Sequence, residues 1–285
     1  VSGGPVVLVG DTINQTAGSV SATNMAATAT GAAGAIGVVL GQSGNALGNV
    51  AITSSVAGGA VTVKSTSALT VTHLTTAASG LVTGVTAAGG GAISLTGASV
   101  AVNDGVTTTG TLAIHGAGGI TATAGISGAD VSLTTATVAI GTSGSPLDVD
   151  ATNSLTLTTT GTGSSGDIHV NVTGPGHLTA LSGVTVSTDG MTGGLTGQAV
   201  ELRGLATLDG TVDFKKDSVT FVGTGGSLTG AAASDITGAN LTLIADTVTL
   251  NGLLHAPTGT ITISPLTNGA ALAVAGLPTG STASL

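Results

Sequence analysis

The apolar residues of this chain recur as doublets of the form apolar-x-apolar, separated by Gly, Thr, Ser, Asn or Asp. In a strand, this alternation places both apolar side chains on one face and the residue between them on the other. Each doublet is too short to bury a core alone, so the doublets must stack on one another. The clearest doublets are Ile93/Leu95, Val100/Val102, Leu112/Ile114, Val131/Leu133, Val138/Ile140, Leu241/Leu243, Val248/Leu250 and Ile261/Ile263. The middle residues expected to face outward include Ser94, Ala101, Ser132, Thr242, Thr249 and Thr262.

The spacing of the doublets predicts the length of one coil. Some doublets begin close together, at 93 and 100, 131 and 138, 212 and 219, and 241 and 248, which leaves room for a tight corner between two strands. A longer spacing between doublets also recurs. The number of residues from Ile93 to Leu112 equals that from Leu112 to Val131, and the number from Leu241 to Ile261 is nearly the same. The sequence therefore predicts an all-β, single-stranded parallel β-helix (β-solenoid) of about 20 residues per coil and about 14 coils.

The composition favours the same fold. The chain has 49 Gly, 6 Pro and only 6% charged residues, so no window resembles an amphipathic helix and little or no helix is expected. Trp and Tyr are absent, and the two aromatic residues, Phe214 and Phe221, occupy inward positions of adjacent doublets. The stretch 25–40 is the nearest approach to a membrane span, but it is too short and is interrupted by Gly and Thr.

The repeats predict one continuous solenoid over residues 1–285. Residues 1–59 form less regular, Ala/Gly-rich coils, and residues 60–285 show clearer repeats. Two stretches rich in Gly, Ser and Thr, near 158–166 and 188–198, are predicted to be long loops within the solenoid.

Charge excludes some functions. Four Lys and Arg against 13 Asp and Glu give a formal net charge of −9, which disfavours binding to nucleic acids or anionic membranes. With no Cys, disulfides and thiolate chemistry are excluded, and the five His show no paired metal spacing. We expect no cofactor and no enzymatic activity.

One polar cluster lies between the clear repeats. Asp148 and Asp150 share a strand face. The spacing from Asp148 to Asp167, and from Asp150 to His169, equals the spacing from Ile93 to Leu112. This spacing predicts that Asp167 stacks on Asp148, and His169 on Asp150, in the next coil. Stacked carboxylates are compatible with polysaccharide cleavage or with a calcium site. A solvated polar face is the ordinary interpretation.

A second cluster contains three of the four basic residues. Its main members are Glu201, Arg203, Asp213, Lys215 and Lys216. Ion pairing between adjacent strands is the ordinary explanation, and a docking patch for a partner is the alternative.

Thr-x-Thr pairs raise a further alternative. Outward Thr in a regular array on a β-helix binds ice, but here the pairs begin at 70, 121, 156, 247 and 260, at unequal steps. These steps favour ordinary β propensity over an ice-binding surface.

Two segments carry a resemblance to a known family. Residues 92–116 (AISLTGASVAVNDGVTTTGTLAIHG) and 239–264 (ANLTLIADTVTLNGLLHAPTGTITIS) resemble the shaft repeats of large secreted bacterial surface proteins of the filamentous haemagglutinin type. The resemblance implies a right-handed parallel β-helix, export through an outer-membrane partner, and adhesion. The Asn-Pro-Asn motifs of that family's secretion domain are absent, so the chain is similar to the shaft.

The expected function is that of an extracellular structural or adhesive protein. The chain would be a rod-like segment of a surface adhesin, or a subunit of an extracellular fibre that stacks end to end. Its expected partners are further copies or repeats of itself, an outer-membrane secretion partner, and a host or cell-surface ligand. Ice or surface binding, and polysaccharide binding or cleavage, remain the alternatives.

Overall fold

The computed structural model describes residues 2–3, 5–78, 80–136, 138–142, 144–159, 167–172, 183–188, 199–205, 207–208, 211–214, 218–223, 225–232 and 234–275. These residues form strands, turns and bends, with no helix among them. Short parallel strands stack into a β-solenoid of about 10 turns with roughly 22 residues per turn. The predicted fold class is confirmed. The turns are longer and fewer than the expected set of about 14 coils of about 20 residues.

The chain divides into two compact units, Val1–Ala136 and Thr137–Leu285. The strands of the first unit are β1 (Ser2–Gly3), β2 (Val6–Gly10), β3 (Ile13–Asn14), β4 (Ser21–Ala29), β5 (Ile36–Leu40), β6 (Ala46–Ser54), β7 (Ala60–Lys64), β8 (Leu69–Val71), β9 (His73–Thr76), β10 (Gly80–Thr83), β11 (Val85–Ala87), β12 (Ile93–Gly97), β13 (Val100–Val102), β14 (Val106–Thr108), β15 (Thr111–Gly116), β16 (Ile120–Ala122) and β17 (Ile126–Thr135).

Strands of the first unit stack in three parallel columns, one on each side of the coil. The β14 column contains β2, the second halves of β4 and β6, all of β11 and β14, and the start of β17. The β15 column contains β3, β5, β7, β12, β15 and the rest of β17. The β13 column contains β1, the first halves of β4 and β6, and all of β8, β13 and β16.

The equal steps predicted from Ile93 onward are confirmed in the β15 column. Ile93 pairs with Leu112 and Leu112 with Val131, so these side chains form one inward ladder, each at most 1% exposed. Alternation turns the middle residues Ser94 and Ser132 outward, where they are half-buried. Burying each Leu or Ile contributes roughly 1.5–3 kcal/mol, so every added coil supplies its own share of core.

One turn carries an insertion that the doublet pattern did not predict. Val71 and Val85 flank an antiparallel hairpin of β9 and β10, and the step from Ile52 to its partner Val85 is consequently the longest in the β14 column. The hairpin packs against β4 and β6. Beneath it, outward Ala26 and Ala51 are buried at 1% and 0% exposure, so these strands are covered on both faces.

One buried polar side chain at a corner of the first unit, Asn45, has all its hydrogen bonds satisfied, whereas the buried Ser54 Oγ has no partner. Asn45 is fully buried. Its Nδ2 donates to Gln15 Oε1 (2.8 Å) and to the Leu40 carbonyl (3.0 Å), and its Oδ1 accepts from Gln15 Nε2 and the Val20 amide, both at 2.8 Å. All four hydrogen-bonding positions of the amide are therefore used, as burial of a polar group requires.

The second unit repeats the arrangement. Its strands are β18 (Leu147–Thr159), β19 (Ile168–Val172), β20 (Gly183–Thr188), β21 (Ala199–Leu205), β22 (Thr207–Leu208), β23 (Thr211–Asp213), β24 (Ser218–Gly223), β25 (Ser227–Gly230), β26 (Asp235–Thr237), β27 (Asn240–Ile244), β28 (Thr247–Leu250), β29 (Leu253–His255), β30 (Ile261–Ser264) and β31 (Ala273–Ala275).

Three parallel columns are present here too. The β27 column contains the start of β18, then β19, β21, β24, β27 and β30. The β28 column contains β22, β25, β28 and β31, and the β26 column contains β23, β26 and β29. The second half of β18 pairs with β20. The predicted stacking of Leu241 on Ile261 is confirmed, because the two residues pair directly.

The two phenylalanines fill the core of the second unit, as predicted. Phe214 and Phe221 are 3% and 2% exposed, and their rings meet edge to face with centroids 6.0 Å apart. This is a preferred geometry for aromatic pairs.

One local prediction is wrong. The doublet Val138/Ile140 does not form a buried strand: Ile140 is buried in an isolated bridge to Ile168, but Val138 is 40% exposed. In the stretch near 158–166 that is predicted to be a loop, residues 158 and 159 end β18. Residues 160–166 and 189–198 lie outside the described residues, and residue 188 ends β20. The stretch 25–40 forms strands β4 and β5, and no described helix is long and apolar enough to cross a membrane.

Glycine is required where the hairpin rejoins the coil. Gly84 has φ +64°, and a Cβ there would collide with the carbonyl oxygen of Gly105 in the next turn. We expect Gly84→Ala to lower the free energy of unfolding by about 2 kcal/mol or more, from backbone strain and the collision. Gly125 occupies the position equivalent to Gly84 two turns further along. A Cβ added there would meet nothing within 4 Å. Gly125→Ala should change stability by less than about 0.5 kcal/mol in urea unfolding, and equal losses would contradict this account.

A carboxylate fixes the loop between β30 and β31. Asp246 accepts from the Thr267 amide (2.8 Å) and hydroxyl (2.7 Å). The amide, then the hydroxyl, holds the pKa of Asp246 below its ordinary 3.8, against a small opposing effect of burial.

Because the folded-state pKa of Asp246 is lowered, its stabilising contribution is present above the unfolded pKa. It is lost as the pH falls through the folded value. We therefore expect Asp246→Asn to be less stable than the parent at neutral pH, with the difference shrinking in acid. NMR titration of the Asp246 carboxyl checks the cause directly. Thr267→Val should move this pKa partway back toward 3.8, and a parent carboxyl titrating at or above 3.8 would contradict the assignment.

Candidate functional site

The residues that the sequence singled out lie mainly in the β27 column. Asp148 and Asp150 are in β18, and His169 is in β19, which begins directly after Asp167. Glu201 and Arg203 are in β21. Asp213 belongs to β23, opposite Thr237. The Asp213 side chain, Lys215 and Lys216 lie outside the described residues.

The register joins the two predicted clusters into one. Asp148 pairs with Asn171, which lies beyond Asp167 in the chain, so the predicted stacking of Asp148 on Asp167 is wrong. Asn171 in turn pairs with Arg203, and His169 pairs with Glu201. We call these five residues, Asp148, His169, Asn171, Glu201 and Arg203, the charged ladder.

Alternation along the strands points the ladder outward. In β19, residues 168, 170 and 172 are buried, which turns His169 and Asn171 to the other face. In β21, buried Val200 and Leu202 place Glu201 and Arg203 outward in the same way. The ladder thus rests on apolar side chains that hold its strands in place.

Glu201 is the centre of the ladder. Its Oε2 accepts from His169 Nδ1 at 3.0 Å, between adjacent turns, and its Oε1 accepts from Arg203 Nη2 at 2.6 Å, along one strand. An ionised carboxylate can only accept hydrogen bonds, so the His169 Nδ1 carries a proton. The side chains of His169 and Glu201 are only 12% and 16% exposed, whereas that of Arg203 is 42% exposed.

The rest of the ladder is weaker. Asn171 Nδ2 donates to Asp148 Oδ1 at 2.7 Å on the exposed side. The buried Nε of Arg203 has no hydrogen-bond partner. Charges are largely compensated within the ladder, because Arg203 offsets Glu201 and only Asp148 is left with a neutral neighbour.

Glu201 and Arg203 form a local ion pair, but along one strand rather than between adjacent strands as predicted. The contact of Glu201 with the adjacent turn is made by His169. Within the described residues, no group of three or more His, Cys, Asp or Glu is placed to hold a metal ion. Asp148 faces the Asn171 amide rather than Asp167, so this register does not stack those two carboxylates.

Sequence reasoning missed Asn171. It begins an Asn-x-Thr triplet, a pattern that says nothing of a place beside Asp148. Its partner could be found only by knowing that this turn is longer than the turns of the clear repeats. Two other His lie beside carboxylates in the same manner: His73 Nδ1 is 2.9 Å from Asp104 Oδ2, and His255 Nε2 is 3.3 Å from Asp235 Oδ1.

We expect Glu201→Ala to lower the free energy of unfolding by about 1–2 kcal/mol, because it leaves His169 without its acceptor at a nearly buried position. The lost ion pair with Arg203 contributes less to this change in stability, because solvent screens the exposed guanidinium. The control is Asp148→Ala, on the exposed edge of the same ladder, which should change stability by less than about 0.5 kcal/mol. Urea unfolding followed by circular dichroism measures both. A larger loss in the control than in Glu201→Ala would show that Glu201 is not the centre of the ladder.

Comparison of the chain with protein-family models, curated proteins and solved structures finds no match to any of them.

Proposed function

We propose that this chain is a non-enzymatic, extracellular structural or adhesive protein. It acts as a segment of a bacterial surface adhesin of the filamentous haemagglutinin type, or as a subunit of an extracellular fibre. Its partners are further copies or repeats of itself, joined end to end, together with an outer-membrane secretion partner and a ligand on a host or cell surface. The observation that carries the proposal is the in-register stacking of parallel strands.

Such stacking favours extension, because each turn presents the same backbone edge to the next. Within the described residues, β30 pairs with β27 alone. The strand repeats the pattern of its neighbour, with Ile261 and Ile263 inward and Thr262 outward. A further strand of the same pattern would continue both the hydrogen bonds and the apolar ladder.

The outward rows support a role in assembly rather than in chemistry. Ser94, Ala113 and Ser132 form one row, and Thr220, Thr242 and Thr262 form another. Neutral side chains of this kind supply little electrostatic repulsion between copies.

Association through β30 is tested with a charge placed on that strand. The parent chain should form assemblies that grow with concentration in light scattering and appear as particles extended end to end in negative-stain images. Thr262→Lys should reduce this growth, since a charged edge strand opposes pairing with another chain. Thr242→Lys is the matched control, with the same change in the same outward row but on the interior strand β27. A monodisperse monomer at all concentrations, or equal effects of the two variants, would contradict joining through this edge.

A further inference from the structure

The second unit contains two Asn-Gly pairs, Asn251–Gly252 and Asn268–Gly269. Asparagine is a thermolabile residue, because the backbone nitrogen of the next residue can attack its side-chain amide carbon. A glycine in that next position has no Cβ to hinder the approach. The two pairs carry the same reacting groups, so their surroundings in the fold decide whether each of them reacts.

Asn268 and Gly269 lie in an open turn between β30 and β31. The Ala270 amide donates to the Thr267 carbonyl at 3.0 Å and closes this β-turn. Gly269 has φ +80°, a positive value that type II and type I′ turns require at this position, and a Cβ there would meet nothing within 4 Å. Both residues are exposed. In the part of the chain that the structure describes, neither the Asn268 side chain nor the Gly269 amide makes a hydrogen bond. The attacking nitrogen and the amide carbon can therefore approach each other.

Asn251 and Gly252 lie in a packed corner between β28 and β29. Gly252 is buried, and a Cβ there would collide with the hydroxyl and the carbonyl oxygen of Ser234 in the preceding turn. The amides on either side are engaged with that turn. The Asn251 amide donates to the Gly230 carbonyl at 3.0 Å, and the Leu253 amide donates to the Ser234 carbonyl at 2.7 Å. Ring closure at Asn251 therefore requires this corner to open first.

We propose that Asn268 is a site of spontaneous deamidation and that the fold protects Asn251, a property independent of the end-to-end assembly proposed above. The Gly269 nitrogen loses its proton to solvent base and bonds to Asn268 Cγ. The bond from Cγ to the side-chain nitrogen breaks, and that nitrogen takes up a proton and leaves as ammonia. Water then hydrolyses either carbonyl of the five-membered succinimide. The result is aspartate or isoaspartate at position 268, with one water consumed, one ammonia released and no change in oxidation state.

The reaction changes the loop in two ways. It adds one negative charge directly after Thr267, whose amide and hydroxyl are held by the Asp246 carboxylate at 2.8 and 2.7 Å. Isoaspartate also inserts a methylene into the backbone within the turn. Because the reaction needs only water, the modified form accumulates with the age of the chain.

The test compares the two asparagines within one sample of the whole chain. The folded protein is incubated at mildly alkaline pH and then digested with pepsin, whose acidic buffer stops the reaction. Mass spectrometry of the peptides measures the conversion of each amide to an acid. Asn268 should convert about tenfold faster than Asn251 or more, because Asn251 reacts only through local opening of its corner. The same incubation in urea removes the fold, and it should bring the two rates close together.

Asn268→Gln is the matched variant, since it keeps the amide but lengthens the side chain beyond the favourable ring size. The peptide that contains position 268 should then stay unconverted, while Asn251 keeps its parent rate. Equal rates at the two asparagines of the folded parent would overturn the proposal, as would faster conversion at Asn251. A rate difference that persists unchanged in urea would also overturn it, because local sequence rather than the fold would then be the cause.

Discussion

Hydrogen bonding between parallel strands of successive turns is the constraint on which this structure depends. Each residue must lie above its partner at the strand spacing of about 4.8 Å, so every turn must repeat nearly the same cross-section. The interior is accordingly filled by Val, Ile, Leu and Ala in ladders such as Ile93–Leu112–Val131. Buried polar groups occur at the corners, where Asn45 has all its hydrogen-bonding positions satisfied. The one described aromatic pair, Phe214 and Phe221, meets where the β27 column approaches the β26 column.

The same constraint determines where extra residues go. A turn cannot widen without losing register, so surplus chain leaves at a corner and returns to the same place. The hairpin does this between Val71 and Gly84, and the register of β6 with β11 is kept across the insertion. The return needs a left-handed backbone conformation and close contact with the next turn, both of which Gly84 provides.

The local sequence pattern therefore predicts which side chains of a strand face inward better than it predicts which residues pair between successive turns. Alternation identified the inward residues of β12, β13, β15 and β27, because facing depends only on the period of two within one strand. Equal steps identified the stacks of Ile93 and Leu241, where the corners are short. Val138 followed the same pattern yet is exposed, since an apolar-x-apolar doublet does not by itself specify that both of its apolar side chains are buried. Asp148 was assigned to Asp167 because the step of the clear repeats was assumed for a turn that is longer.

Function on the outward faces depends on which residues pair between turns, not only on which residues face outward. A row of side chains spanning several turns is set by insertion lengths at distant corners, not by residues adjacent in sequence. The longer turns of the second unit bring His169 to Glu201, and the hydrogen bond between them occupies one oxygen of that carboxylate. In the first unit, a hairpin that looks like an interruption preserves the alignment of Thr53 with Thr86. Shortening the hairpin while keeping Gly84 would leave that alignment intact. A slip of a single residue at the corner would turn the hydroxyls of that turn into the core and expose its aliphatic residues.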